Sequence, residues 1–484
     1  MSSARGRLAA VAVTLAVALP GCAVGPNFHR PPAPGVSGYI RDDQAPPADE
    51  VSKAAQHPLV GAQLPAQWWQ LFQSPPLQEA VRAALTGSPT LAAASATLAQ
   101  AQEQVVVARG ALYPRVTADA GVQHSTSTDF APQLSPTEYT LGPSAAYALD
   151  VFGGTRRGIE QQGALAEQQR YQLAAAYLTL TGGVVNQALA VASTRLQIAT
   201  SLELIESDRR NLALTQREFE VGTAARSDVL TADSQLAADL TQLPTLRLQL
   251  SQARDALAVL LGQAPSQAHT HDFDITEFAV PADIPLSLPS ELVHQRPDIL
   301  AAQAQLHAAS AAIGVAVAQE FPSLTLSASI TRSALQAGDL FHQFDTVRTA
   351  GGALSAPLFA GGALRAQVRA ARDAYRAQNA TYQAVVVAAL GQVTDDLWAL
   401  QYDAERLDVD RHAVEIASEA LKLQQASYAV GKTNVLQLID AQRTYAQARL
   451  GLASAQVQQL QDTAGLVVAL GGGWWKDPQA PAAQ

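Results

Sequence analysis

Disulfide bonding within this chain is excluded, because its 484 residues contain one cysteine, Cys22. Methionine occurs only at position 1, and aromatic residues make up 6 %. Charged residues make up 15 %, and 42 acids outnumber 32 lysines and arginines, for a net charge of −10. Removing residues 1–21 would take away Arg5 and Arg7 and no acid, leaving −12. This acidic balance argues against nucleic-acid binding, which needs a basic footprint. The chain has no HExxH, GxSxG, CxxC or GxxxxGK[ST] motif, so metalloprotease, hydrolase, redox and nucleotide chemistry have nothing to stand on. Gly153-Gly154 and Gly361-Gly362 are therefore not phosphate loops, and they read as strand-to-helix turns. His269 and His271 sit in a polar loop without the further ligands a metal needs. Asp395-Asp396 reads as a pair facing water. No enzyme, cofactor or metal is expected.

What the chain does contain, it contains twice. Pro89, Leu98, Tyr113-Pro114 and Arg157 return 208 residues later as Pro297, Leu306, Phe321-Pro322 and Arg365. One inserted residue makes the offset 209 for Val221-Gly222 with Val430-Gly431, and for Leu261-Gly262 with Leu470-Gly471. A tandem unit of this length exceeds the repeat of any solenoid. It implies a pseudo-symmetric object.

Residues 1–21 read as a secretory signal, with Arg5 and Arg7 ahead of the apolar run at residues 8–19. That run is too short to span a bilayer and suits an h-region. Leu19-Pro20-Gly21-Cys22 resembles a bacterial lipobox, with Pro20 a mild departure. The resemblance implies cleavage before Cys22 and lipidation of that residue; an ordinary signal peptide with a chance cysteine is the alternative. Ala23, rather than an aspartate, implies sorting to the outer membrane. Residues 22–64, rich in proline and glycine at their start, read as an extended arm. The first repeat then covers residues 65–275, the second 276–473, and a tail 474–484.

Each repeat predicts the same elements. Pro89 and Pro297 suit the first turn of a helix, and Pro114 and Pro322 end those helices. Alternation of period two follows, clearest in residues 323–331, where Leu324, Leu326, Ala328 and Ile330 share one face and serine and threonine the other. Further strands are expected at residues 115–125, 138–151 and 346–359. A soluble antiparallel sheet alternates in the same way, but aromatic strand ends and the lipobox favour an outer-membrane barrel. Residues 155–221 and 364–430 then lack proline and predict helices of roughly 100 Å. They end at Gly222 and Gly431, and helices return over residues 227–261 and 434–470. Pro244 predicts a kink in the first of these. Four strands cannot close a barrel, and an open edge is not viable in lipid. Three copies would supply twelve strands.

CAVGPNFHRP at Cys22, WWQLF at Trp68, RPDI at Arg296, FPSLTLSASI at Phe321, LFAGG at Leu358, VGKTNVLQLIDAQRTY at Val430 and LGGGWW at Leu470 together cover nearly the whole mature chain. In that order they resemble the outer-membrane factors of bacterial tripartite efflux and secretion systems, TolC-like and of the NodT-type lipoprotein branch. Ser88-Pro89 departs from the family's common Asn-Pro, and Gly154 from an Arg often found there. The resemblance implies a mixed α and β fold: a homotrimer whose twelve-stranded outer-membrane β-barrel, four strands per chain, continues into a twelve-helix periplasmic α-barrel. Segments near 66–86 and 285–297, with the C-terminal tail, would form a belt. A periplasmic adaptor, an inner-membrane pump and outer-membrane lipid are the implied partners. The implied function is a passive exit duct for drugs and other small toxic compounds. A duct for secreted peptides or proteins is the alternative, and a periplasmic helical scaffold the alternative of another class.

The resemblance also places Leu436 and Asp440 at a periplasmic gate, with Arg443 one turn on. A ring of three carboxylates on a narrow axis repels itself and attracts cations. A solvated helix pair of Asp440 and Arg443 at i, i+3 is the alternative. Asp228 reads as a cap of the returning helix. Val221, Gly222, Thr223, Val430, Gly431 and Lys432, at the two helical turns, are expected to touch the adaptor or to be simple turn residues.

Overall fold

A computed structural model describes residues 23–36, 38–41, 43, 56–126 and 136–476. The signal segment and Cys22 lie outside the described residues. The duplication appears as equal helix lengths. Helices α2 (Pro89–Gly110) and α6 (Pro297–Ala318) have 22 residues each, and α3 (Gly154–Glu220) and α7 (Ala363–Ala429) have 67 each. Helices α4 (Arg226–Leu260) and α8 (Val435–Ala469) have 35 each. Helix α4 runs through Pro244 without interruption. Two helices, α3 and α6, contain stretches apolar enough for a membrane, but most of each stretch is buried in the protein.

The chain divides into two compact units that cut across the repeats. The first gathers Thr97–Gln169, Ala301–Gln383 and the N-terminal residues to Pro31. Its centre is an antiparallel sheet of β2 (Arg115–His124), β3 (Thr137–Leu149), β5 (Ser323–Ala334) and β6 (Asp345–Ser355), in the order β2-β3-β5-β6. Strand register sorts the side chains cleanly. Val116, Ala145, Ala328 and Ala350 fall in one cross-strand row, and Leu149, Leu324 and Leu354 in another row of the same face. The opposite face carries Thr117, Ser144, Ser329 and Thr349, tied by hydroxyl hydrogen bonds of 2.8 Å (Thr117 with Ser144) and 2.6 Å (Ser329 with Thr349). Away from the hairpin-loop ends, one face is thus apolar and the other carries the hydroxyls. Strand β6 ends at Ser355, a few residues short of the expected 359. Strands β2 and β6 have no outer partner among the described residues.

The arm is fastened to this first unit around Arg157, with Val24 N–H also donating to the Phe152 carbonyl at 3.0 Å. The largely buried Arg157 guanidinium donates to the carbonyls of Val24 (3.1 Å) and Gly25 (3.4 Å), to Asn27 Oδ1 (2.8 Å) and to Glu160 Oε2 (2.7 Å). His307 pairs with Glu160 at 3.0 Å and stacks on Phe28. Burial alone would raise the Glu160 pKa, but hydrogen bonds from Arg157 and His307 outweigh it and hold the carboxyl below its ordinary value. Gly314 leaves the room, since a Cβ there would lie 2.7 Å from Arg157 Cγ. Arg365, the repeat counterpart of Arg157, holds no arm segment among the described residues and is exposed.

The second unit gathers Pro32–Ala96, Arg170–Leu300 and Ala384–Gln484. Its core includes Trp68, Phe72, Leu77 and Tyr177, none more than 1 % exposed. Helix α1 (Pro75–Gly87) is capped by Ser74, and helix α5 (Pro289–Gln295) begins with proline at N1. Trp474 donates its indole N–H to the carbonyl of Gln295 at 2.9 Å, so the segment after α8 closes on the end of α5. Strands β1 (His57–Val60) and β4 (Asp283–Leu286) pair in parallel. Neither was expected, because four residues are too few to show a period.

Helix α7 leaves a seam uncovered. Tyr402, Val409, Ile416 and Leu423 recur every seventh residue, and each is at least 55 % exposed. A heptad stripe of large apolar side chains is the seam of a coiled coil. With two open strand edges in the other unit, the chain is built for further copies. Substituting Val409 and Ile416 together by lysine is expected to shift the purified protein from trimer to monomer, measured by crosslinking and native mass. Each substitution removes about 1.5–3 kcal/mol of apolar burial per copy.

Candidate functional site at the helical tips

Both long hairpins turn on the same local chemistry. Gly222 and Gly431 adopt φ of +80° and +72°, a conformation that side chains with a Cβ resist. Thr223 N–H then reaches back to the Glu218 carbonyl (2.8 Å), and Lys432 N–H to that of Ser427 (2.9 Å). These are six-to-one closures of a helix end. The returning helices start differently. Asn434 caps α8 by accepting from Gln437 N–H at 3.0 Å. At α4 the cap position is Ala225, which has no acceptor, and Asp228 instead accepts from Ala225 N–H at 3.0 Å. Asp228 is thus not at the cap position expected of it but three residues inside, from where it supports the helix start. Val221 and Val430 are 76 % and 67 % exposed, and Gly222, Thr223, Gly431 and Lys432 are exposed beside them.

Just behind the turns, all four long helices meet. Ala232 of α4 and Val435 and Ile439 of α8 are buried together, with Leu212 of α3, Tyr428 of α7 and Leu436 packed against them. Tyr428 donates its hydroxyl to Glu218, and Asn211 donates to Gln442 Oε1 at 2.6 Å. Leu436 belongs to this packing. Asp440 does not: its carboxylate is exposed and has no side-chain partner among the described residues.

Arg443 does not turn to Asp440 either. Its guanidinium donates to Asp239 Oδ2 on α4 at 3.0 Å. Asp239 faces Asp208 on α3, and both acids are at most 4 % exposed. Burial, then the facing Asp239, push the Asp208 pKa up to about 7, and Arg443 offsets part of the rise. Two carboxylates can share a hydrogen bond only when one holds a proton, so ionised Asp208 leaves a buried oxygen without a partner. No sequence signal pointed to this group, because its members lie up to 235 residues apart.

A second acid group lies between α7 and α8. Burial and Asp462 push Asp403 up to about 7, and burial with Asp462 and Asp395 push Asp396 up to about 6. The expectation that Asp395 and Asp396 both face water is therefore half wrong. Asp395 is exposed, but Asp396 sits on the face of α7 that packs on α8, near Gly465. Elsewhere, His271 bonds to Glu277 at 3.0 Å.

The profile of the outer membrane efflux protein family matches residues 80–263 and 288–472. The chain belongs to that family. It is 31 % identical to the pyoverdine export outer membrane protein OpmQ of Pseudomonas aeruginosa, over 86 % of this chain and 89 % of that one. It is 29 % identical to the toluene efflux pump outer membrane protein TtgF of Pseudomonas putida, over 96 % of each. Among solved structures, the outer-membrane channel OprN superposes with a TM-score of 0.84 at 27 % identity, covering 94 % of this chain and all of that one. The protein is thus an outer-membrane efflux channel of the tripartite-pump class, and not an enzyme. Its fold is that of the trimeric channels, so the four-stranded sheet is one third of a twelve-stranded barrel.

The raised Asp208 pKa fixes the sign of a pH effect. A carboxyl whose pKa rises from 3.8 unfolded to about 7 folded makes the native state the stronger proton binder between those values. Stability contributed by this group therefore falls as pH rises from about 4 through 7. Asp208→Asn removes that dependence. The variant is expected to melt higher than wild type at pH 8 and to lose most of that advantage at pH 5.5, measured by thermal denaturation of the purified trimer.

Proposed function

We propose that the protein is the passive exit duct of a tripartite pump for small toxic molecules, drugs among them, and that three copies of Asp440 form its periplasmic gate. The observation that carries the gate is the contrast within one turn of α8. Arg443 is taken up by Asp239, beside Asp208, whereas the Asp440 carboxylate is exposed and without a side-chain partner among the described residues. No side chain among the described residues pairs with the Asp440 carboxylate, so three of them around an axis would repel one another and hold cations. Leu436, packed in the four-helix cluster, supports the gate rather than lining it on this reading, and Arg443 anchors α8 against α4. The relatives' names speak for small cargo, since one exports pyoverdine and another serves toluene efflux. The driving energy belongs to an inner-membrane pump joined through a periplasmic adaptor. Cys22, in its lipobox, is the proposed acyl anchor.

In planar bilayers, wild-type protein is expected to show small, cation-preferring openings, and Asp440→Ala larger and less selective ones. Equal conductance from both would move the gate elsewhere, and no conductance from either would end the duct reading.

The tips are the proposed adaptor surface, supported by the exposed valines beside each glycine turn. Val221→Asp and Val430→Asp together should abolish crosslinking to the adaptor while leaving single-channel conductance intact. Undiminished crosslinking would remove the tips from the interface.

A further inference from the structure

The sheet's charges are distributed by face. Its three carboxylates, Asp119, Glu138 and Asp345, all fall on the polar face, with Arg115. The apolar face has no acid, but it carries two arginines. Arg332 of β5 lies opposite Thr346, and Arg348 of β6 lies opposite Ile330, so the two are diagonal neighbours on adjacent strands. Diagonal pairs on one face are about 7–8 Å apart at Cα, within reach of a shared ligand. Both arginines are exposed, and neither has a carboxylate partner among the described residues. Arg332 lies over the Phe344 ring, 4.2 Å from its centroid.

Their height matters as much as their face. From Leu324 to Arg332 the strand rises about 27 Å, or about 20 Å of membrane thickness at the usual tilt. Arg332 lies two residues from the end of β5, and Arg348 three from the start of β6, both at the hairpin-loop end of the sheet. An arginine on the lipid face costs about 2–4 kcal/mol at the midplane and about 0–1 near the interface. Two together, without an acid, call for an anion at headgroup level.

We infer that Arg332 and Arg348 form a binding site for the phosphate of an outer-leaflet lipid, one site per chain. Guanidinium groups bind phosphate through paired N–H donors, and the apolar rows below them take the acyl chains. The inference rests on the outer-membrane placement of the sheet, and fractionation of the membranes before extraction tests that placement separately.

The experiment compares trimers purified in mild detergent and measures retained phosphorylated lipid by mass spectrometry. Arg332→Gln with Arg348→Gln is expected to retain about tenfold less, the loss of one charge-assisted contact or more. Arg115→Gln, on the polar face, should retain as much as wild type. Delipidated wild type in phosphatidylethanolamine nanodiscs should bind added lipid A, and inorganic phosphate at equal concentration should not displace it. Equal retention by the double variant overturns the site. Displacement by inorganic phosphate overturns the lipid as ligand in favour of a free anion. Trimer mobility on unheated gels checks assembly, and if the double variant does not assemble, the wild-type displacement titration decides.

Discussion

Backbone hydrogen bonding in a solvent that offers none is the constraint on which the rest depends. A strand edge in hydrocarbon leaves each N–H and C=O without water, at several kcal/mol per group. Strands β2 and β6 present such edges, and a single chain has too few strands to close them. The missing partners must come from other copies, so oligomerisation is a condition of insertion rather than a later refinement. The heptad seam of α7 repeats the demand in water, where exposed apolar stripes also need cover. Two different solvents thus ask the same thing of one chain, once through polar groups and once through apolar ones.

The helical tips show how a duplicated chain can hold unlike chemistry in like positions. Both turns close through a glycine, and both feed helices of 35 residues. Around this shared frame the side chains diverge. Arg443 binds Asp239 beside Asp208, linking α3, α4 and α8 in one charged group. Such a buried group is strongly coupled: removing one member leaves the others without compensation, and protonation alters all three. It lies directly behind the residues that would gate the channel. A change in tip packing would therefore be felt by titratable groups, and the reverse.

Much of this was legible before any coordinates. Proline and glycine punctuation placed the long helices within a residue of their ends, because Gly222 and Gly431 can adopt the turn that stops them. Alternation located all four barrel strands, because one face must be apolar. What stayed hidden was pairing across long stretches of chain. Arg443 looked suited to Asp440 three residues away, but its partner is 204 residues distant, and only packing decides between them. Asp396 looked solvated because no periodicity in α7 is strong enough to say which face meets α8. The arm expected as extended over residues 22–64 carries strand β1 near its end, and its clasp on Arg157 joins groups 130 or more residues apart.

Thr223 and Lys432 occupy equivalent places in the two turns, as do Ala225 and Asn434. A trimer therefore ends in a crown of six points, alternating between two kinds. A partner that reads only what the points share would count six equal berths. A partner that reads the lysine would count three. The stoichiometry of any docked ring is thus a direct report of which atoms it recognises.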